Sequence, residues 1–327
     1  MIPLAVTLLL SALLCGLYLA LARRWRILDL PGERSSHRQP TPHGGGAALI
    51  TALLLGMLCA VPWYGPWPQA YLVLAAAAFI LMLIGVLDDL TGLSVKSRLA
   101  LYALCCLLVA AALLQPLEVT VLQRGTLVIA AALCLLWALN LYNFMDGIDG
   151  FAAIQCCLAC SGAAILAWQG GAGAVYVLFC LLLAASHLGF LFWNWPPARL
   201  FMGDAGSVPT GFLLAALALL GAVQGQLSAA CWLILLAVFI TDASWTLVWR
   251  MVTGQPFTRP HRLHAYQRLS RHFRSHRAVD LMLLVTHALW LVPLALAAQL
   301  WPEFRTFMVI LAYLPLLLAM AKMRKLA

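Results

Sequence analysis

Five aspartates stand out, because each sits at or just past the end of an apolar run. They are Asp88 and Asp89 side by side, Asp146 and Asp149 three apart, and Asp204 within Gly-Asp-Ala-Gly-Ser. Carboxylates are costly in hydrocarbon and are usually retained there for function. Two adjacent carboxylates repel each other when both are ionised, and a divalent cation or a nearby base such as Lys96 relieves that repulsion. Asp146 and Asp149 share a face if their segment is helical, and Asn143, three residues earlier, then joins them. Glycines at 147 and 150 permit close ligand approach, and no basic residue stands nearby in sequence to neutralise the pair. Asp204, on a glycine-rich turn ahead of a helix, suits a Mg2+ (or Mn2+) ligand. Carboxylates gathered in this way predict a metal-assisted site at a membrane surface.

Basic residues supply the complementary half. The segment from about 251 to 280 contains Arg259-Pro-His261-Arg262-Leu-His264-Ala-Tyr-Gln-Arg268. Arg and His at this density suit a diphosphate, so His261, Arg262 and His264 are expected at the site. His272 and His276 read as solvated or interfacial. The first loop, Asp29 to Gly46, is broken by prolines and glycines. Its Gly44-Gly45-Gly46 opens a span, where free N–H groups favour anions, and His37 and Arg38 join the expected substrate-binding set. Asp242 either pairs with Arg250 or lines a polar cavity. His187 and His287, inside spans, read as satisfied bundle residues. The ten cysteines lie almost entirely inside spans, and Cys157-x-x-Cys160 lacks the second pair a zinc set needs.

The elements that position these groups follow from composition. The chain has 327 residues, 64% hydrophobic and 9% charged, with mean hydropathy +0.96. Soluble domains carry about 25% charged residues, so a soluble enzyme is excluded. With roughly 20 apolar residues needed per crossing, about eleven transmembrane helices are predicted. The ninth is expected over Leu227–Val248. The fold expected is an all-α, polytopic membrane helix bundle forming one domain over 1–327, with working loops at about 23–46, 88–98, 142–150, 193–207 and 251–280. The first span carries its arginines after the apolar stretch, unlike a cleavable signal. Alternating sides from there puts every Lys and Arg on one face except Arg124 and Arg305, 18 against 2 of the 20 present. By the positive-inside rule that face is cytoplasmic, the N-terminus periplasmic and the C-terminus cytoplasmic. The net charge of +9 therefore reflects membrane topology and anionic lipid, not nucleic acid.

The motifs resemble those of the polyprenyl-phosphate N-acetylhexosamine-1-phosphate transferases, relatives of the phospho-N-acetylmuramoyl-pentapeptide transferase. The matching residues are Asp88-Asp89 with Lys96, Asn143-Phe-Met-Asp146-Gly-Ile-Asp149-Gly150, and Asn194-Trp-Pro-Pro-Ala-Arg-Leu-Phe-Met-Gly-Asp204-Ala-Gly-Ser207. The Pro-Thr-Pro-His-Gly-Gly stretch adds to them. Only His264 falls on the family's usual His-x-His-His pattern, and His-Arg-Leu-His-Ala-Tyr-Gln-Arg looks like the bacterial branch that starts O-antigen chains. The resemblance implies transfer of a sugar-1-phosphate from a UDP-N-acetylhexosamine (GlcNAc, FucNAc or QuiNAc type) to undecaprenyl phosphate, with release of UMP, in the bacterial inner membrane. It makes Asp204 the main Mg2+ ligand, assisted by Asp88, with Asp88 and Asp89 at the acceptor phosphate. Asn143, Asp146 and Asp149 would hold the nucleotide-sugar, and Lys96 and His264 the phosphates. A homodimer is left open. The alternatives are the pentapeptide transferase itself and, in another class, an anionic-lipid transporter or flippase.

Overall fold

The computed structural model describes residues 1–29, 39–255 and 262–323. The expected site residues His37, Arg38 and His261 lie outside them. In hydrocarbon an apolar run can satisfy its backbone only by coiling into a helix, and these runs do so. In chain order the helices are α1 (Ile2–Trp25), α2 (Gly46–Tyr64), α3 (Gln69–Thr91), α4 (Val95–Leu114), α5 (Val121–Met145), α6 (Phe151–Gln169), α7 (Ala174–Asn194) and α8 (Asp204–Val223). Then follow α9 (Ala229–Leu235), α10 (Ala237–Val252), α11 (Ala265–Phe273), α12 (His276–Thr286), α13 (Val292–Leu300) and α14 (Arg305–Met323). A π-helical turn at His287–Leu291 joins α12 to α13. Two-residue strands at Leu28–Asp29 and Thr41–Pro42 pair antiparallel and close the base of the first loop. The protein is an all-α, polytopic membrane bundle.

Among the described residues ten helical segments are long and apolar enough to cross a membrane, and α9 with α10 makes an eleventh if the pair is one span. The ninth span is therefore not the single helix expected over Leu227–Val248. It breaks at Leu236 with a bend of 73°. The pair still connects the two ends of the bundle. At the far end Gln226 accepts the N–H of Gly173, in the α6–α7 connection, at 2.6 Å. At the other end α10 meets α11 through Asp242. The carbonyl of Leu235, at the break, accepts from Gln155 Nε2 of α6 at 3.0 Å and lies 3.0 Å from His287 Nε2. Polar side chains from neighbouring helices thus re-satisfy the break.

The most enclosed helices are α6 and α8, 72% buried over their apolar windows, against 11% for the segment containing α14. The amino end of α8 is therefore central. Two helices approach it on glycine. At the α2–α8 crossing a β-carbon on Gly46 would collide with the backbone of Gly206. On α3, a β-carbon on Gly85 would sit 2.5 Å from Ala205 N. The N–H groups of Gly45 and Gly46 donate to Phe201 O and Met202 O at 2.9 and 2.8 Å. Those two donors are therefore not free for an anion, since they tie the loop before α8 to the start of α2. His187 is a satisfied bundle residue, with Nδ1 2.9 Å from Leu183 O and Nε2 3.0 Å from Thr210 Oγ1. All ten cysteines are free thiols.

Candidate active site

Asp88 and Asp89 occupy the last turn of α3, and successive helical residues diverge. Asp88 Oδ1 accepts the Leu93 N–H at 2.7 Å, closing the carboxyl end of α3, and Oδ2 pairs with Arg98 of α4. Arg98 Nη1 also reaches Asp204 Oδ2 at 3.2 Å. Asp89 turns toward α8 and accepts the N–H groups of Asp204 and Ala205 at 3.3 and 3.4 Å. The residue preceding α8, Gly203 with φ +71°, has no side chain to cap it. A carboxylate from α3 therefore takes the cap position, where orphan donors and the helix dipole favour negative charge.

For the second pair of acids, the condition of a helical segment is not met. Asp146 and Asp149 do not share a helical face, because α5 ends at Met145 and Asp146 is its C-cap residue at φ −89°, ψ 54°. Two glycines within four residues are poor helix formers, and Gly150 adopts φ +77°. The turn is locked against the α7–α8 loop. Asp149 Oδ2 accepts the Ala198 N–H at 3.0 Å. Asn194 Oδ1 accepts the Gly150 N–H at 2.9 Å, and its Nδ2 donates to Leu200 O at 3.0 Å.

These segments surround a cavity of about 410 Å³ at one end of the bundle. It is lined by Asp29, His43, Asp89, Asn143, Asp146, Gly147, Ile148, Asp149, Asn194, Phe201, Gly203, Asp204, Ser207 and Gln267. Desolvation by the cavity walls, then repulsion from Asp204 and Asp89, pushes the Asp146 carboxyl from its ordinary 3.8 up to about 7. Arg98 is paired with both Asp88 and Asp204, so acids outnumber bases at this point. The hard oxygen donors of Asp89, Asp146 and Asp204 are of the chemical kind that a Mg2+-like ion takes. Among the described residues no three potential ligands are already gathered at coordinating distance.

The last loop stands behind the cavity. Asp242 of α10 accepts the N–H groups of Ala265 and Tyr266 at 2.9 and 3.0 Å and so caps α11. Its Oδ1 also lies 3.2 Å from His264 Nδ1. Neither sequence reading of Asp242 anticipated a cap. Tyr266 donates to Phe144 O at 2.9 Å and stacks on Phe151, which brings Gln267 to the cavity wall.

Of the expected site residues, Asp89, Asn143, Asp146, Asp149 and Asp204 meet in the cavity lining. Asp88 does not, since Arg98 and Leu93 hold both of its oxygens. Asp89, which caps α8, does line it. His264 is buried beside the 143–150 turn, stacked at 6.4 Å on Phe144, and is not part of the lining. Lys96 is exposed on the first turn of α4, outside the lining, and Arg262 is half-buried with its carbonyl accepting from Arg271 Nη2 at 3.1 Å. Sequence reasoning missed Asp29, Arg98, Gln267 and His276 as site residues. His43 and Asn194 lay within quoted motifs without an assigned role, and their motif positions were the available signal.

A second cavity, about 390 Å³ and almost wholly apolar, lies between α5, α8, α9 and α10. Its lining includes Leu135, Tyr142, Gly211, Leu214, Trp232 and Phe239. Tyr142 adjoins Asn143 of the polar cavity, and Gly211 lies one helical turn beyond Ser207. The two cavities are therefore adjacent along α5 and α8.

The family model described as Glycosyl transferase family 4 matches residues 71–222. Similar curated proteins include a probable undecaprenyl-phosphate N-acetylglucosaminyl 1-phosphate transferase of Bacillus subtilis (strain 168), 30% identical over 262 residues, covering 76% of this chain and 71% of that protein. A phospho-N-acetylmuramoyl-pentapeptide-transferase of Synechococcus sp. (strain JA-3-3Ab) is 34% identical over 253 residues, 71% of each chain. A decaprenyl-phosphate N-acetylglucosaminephosphotransferase of Mycobacterium tuberculosis (strain H37Rv) is 29% identical over 297 residues, 80% of this chain and 74% of that protein.

Proposed function

The chain belongs to glycosyl transferase family 4, and from that premise we propose that it transfers an N-acetylhexosamine-1-phosphate from a UDP-sugar to undecaprenyl phosphate, releasing UMP. One observation carries this reading: a carboxylate-lined cavity and an apolar cavity are lined by neighbouring positions of α5 and α8. The polar cavity suits a soluble anionic donor with its cation. The apolar cavity suits a polyprenyl tail, with its phosphate delivered to the junction near Tyr142–Asn143 and Ser207.

The acceptor phosphate monoester has a second pKa of about 6, so it is largely dianionic at neutral pH. It needs orientation more than deprotonation, and catalysis is then mostly positioning and charge neutralisation. Asp204, assisted by Asp89, would hold Mg2+ together with waters and substrate phosphates; when bound, the ion would neutralise diphosphate charge and assist departure of UMP. Arg98 holds Asp204 and Asp88 in register. Asn143 and Asp149 face the donor, with Asp149 on the nucleotide side. His264, gripped by Asp242 and stacked on Phe144, supports the 143–150 turn from behind the cavity. The donor is UDP-GlcNAc or a deoxy relative of the FucNAc or QuiNAc type, and the product starts an O-antigen-like polysaccharide on the cytoplasmic face of the inner membrane. The pentapeptide transferase is the second reading, favoured by the 34% identity to such a relative.

The experiment is UMP release by purified protein in detergent with undecaprenyl phosphate and a donor panel, with and without EDTA. Turnover with an N-acetylhexosamine donor, lost in EDTA and restored by Mg2+, is expected. Turnover confined to UDP-N-acetylmuramoyl-pentapeptide would establish the second reading. Asp204→Asn should lower kcat by about a thousandfold or more, as loss of a transition-state charge contact does, with an unchanged elution profile. Turnover undiminished in excess EDTA would falsify the metal role.

A further inference from the structure

The amino end of α12 touches the donor side of the cavity at three points that the mechanism above does not use. His276 Nδ1 lies 3.2 Å from Asp149 Oδ2 and accepts the Asp149 N–H at 3.3 Å. Arg277 Nε donates to Pro196 O at 2.8 Å, in the loop that meets Asp149 from the other side. Asp280, one turn beyond His276, is wholly buried, and neither carboxyl oxygen has a partner. Its Oδ2 lies 3.0 Å from where a β-carbon on Gly150 would sit. A sealed, unpartnered carboxyl is costly, and here it fills the space beneath the Gly147–Gly150 turn. The residue type at His276 decides what it can do. With Nδ1 bare, the imidazole accepts the Asp149 amide. With Nδ1 protonated, it donates to the Asp149 carboxylate. Either way it grips Asp149.

We propose that His276 is a positioning residue: with Arg277 and Asp280 it makes the start of α12 a latch that holds Asp149 and the 146–150 turn in the geometry that binds the nucleotide-sugar donor. The inference rests on the reading of Asp149 as a donor contact, and the test separates the two. Hydrogen–deuterium exchange of the 146–150 peptide is measured without substrate in the full-length protein, alongside kcat and KM for the donor. His276→Ala should speed exchange there about tenfold, the loss of one hydrogen bond, and raise the donor KM by about the same factor with kcat within about twofold. His276→Asn keeps an oxygen near the Nδ1 position and should restore both. His272→Ala, an exposed neighbour on α11, serves as the control and should change neither. Unchanged exchange in His276→Ala overturns the latch whatever the kinetics. Faster exchange with an unaltered donor KM supports the latch and overturns the donor role of Asp149.

Discussion

Asp146 is the residue whose chemistry the fold changes most. Its carboxyl is raised from 3.8 to about 7 by desolvation and by Asp204 and Asp89. Above about pH 4 the unfolded chain has released this proton while the folded protein still holds it. The stabilising share is complete below the unfolded value and is lost as pH rises through the folded one. In chelator, the melting temperature should fall between about pH 4 and about pH 7, and Asp146→Asn should flatten that stretch of the curve. Mg2+ should raise the melting temperature more at the alkaline end, because it binds the ionised form. An unaltered slope in the variant would assign the effect to other groups. Asp146 was legible in the sequence because a carboxylate beside an apolar run is rare. Its neighbours were less so. The Asp88–Arg98 pair spans a helix turn and a new helix, and the Asp149–His276 contact joins residues 127 apart. Neither spacing leaves a periodic trace, which is why His276 read as an interfacial histidine.

At the scale of elements, the crossing of α3 on the start of α8 makes the site. Gly85 is one turn before Asp89, and the absent β-carbon lets α3 come close enough for Asp89 to cap α8. Gly85→Ala would place a carbon 2.5 Å from Ala205 N, against backbone that cannot swing aside. The variant should lose roughly 1–3 kcal/mol of stability from overpacking and most of its turnover, because Asp89 and Asp204 part together. Thermal unfolding in detergent and UMP release measure the two effects, and a fully active Gly85→Ala protein would refute the close-approach argument. The spans themselves were legible, since hydropathy alone dictates helix in hydrocarbon. The break at Leu236 was not. The stretch Ala229 to Ile240 contains no Gly or Pro to announce it, and its support comes from Gln155 and His287 on other helices. At 146–150 the i, i+3 spacing left helix open as one reading, and the glycines after α5 decide against it.

For the whole molecule, the remaining question is which way the bundle faces. The loops that line the polar cavity all lie at one end, and among the described residues every Lys and Arg except Arg124 and Arg305 belongs to that end by alternation along the chain. The broken ninth span preserves this count, because α9 and α10 together still pass from the Gln226 end to the Asp242 end. Had the pair been a re-entrant loop, every later element would change sides and α11 could not reach the cavity. Charged segments resist translocation, so the cavity end should be cytoplasmic, where nucleotide-sugars are made. The product's sugar would then stand on the inner leaflet, and a separate flippase would have to export it. Single cysteines in a Cys-depleted background test this in intact cells. Lys96→Cys and His272→Cys are exposed near the cavity end, and Gln224→Cys is exposed at the other. A membrane-impermeant maleimide should label Gln224→Cys from outside and reach the other two only after the cells are opened. Labelling of Lys96→Cys and His272→Cys in sealed cells would reverse the orientation, cut the site off from cytosolic donor, and remove the proposed direction of transfer with it.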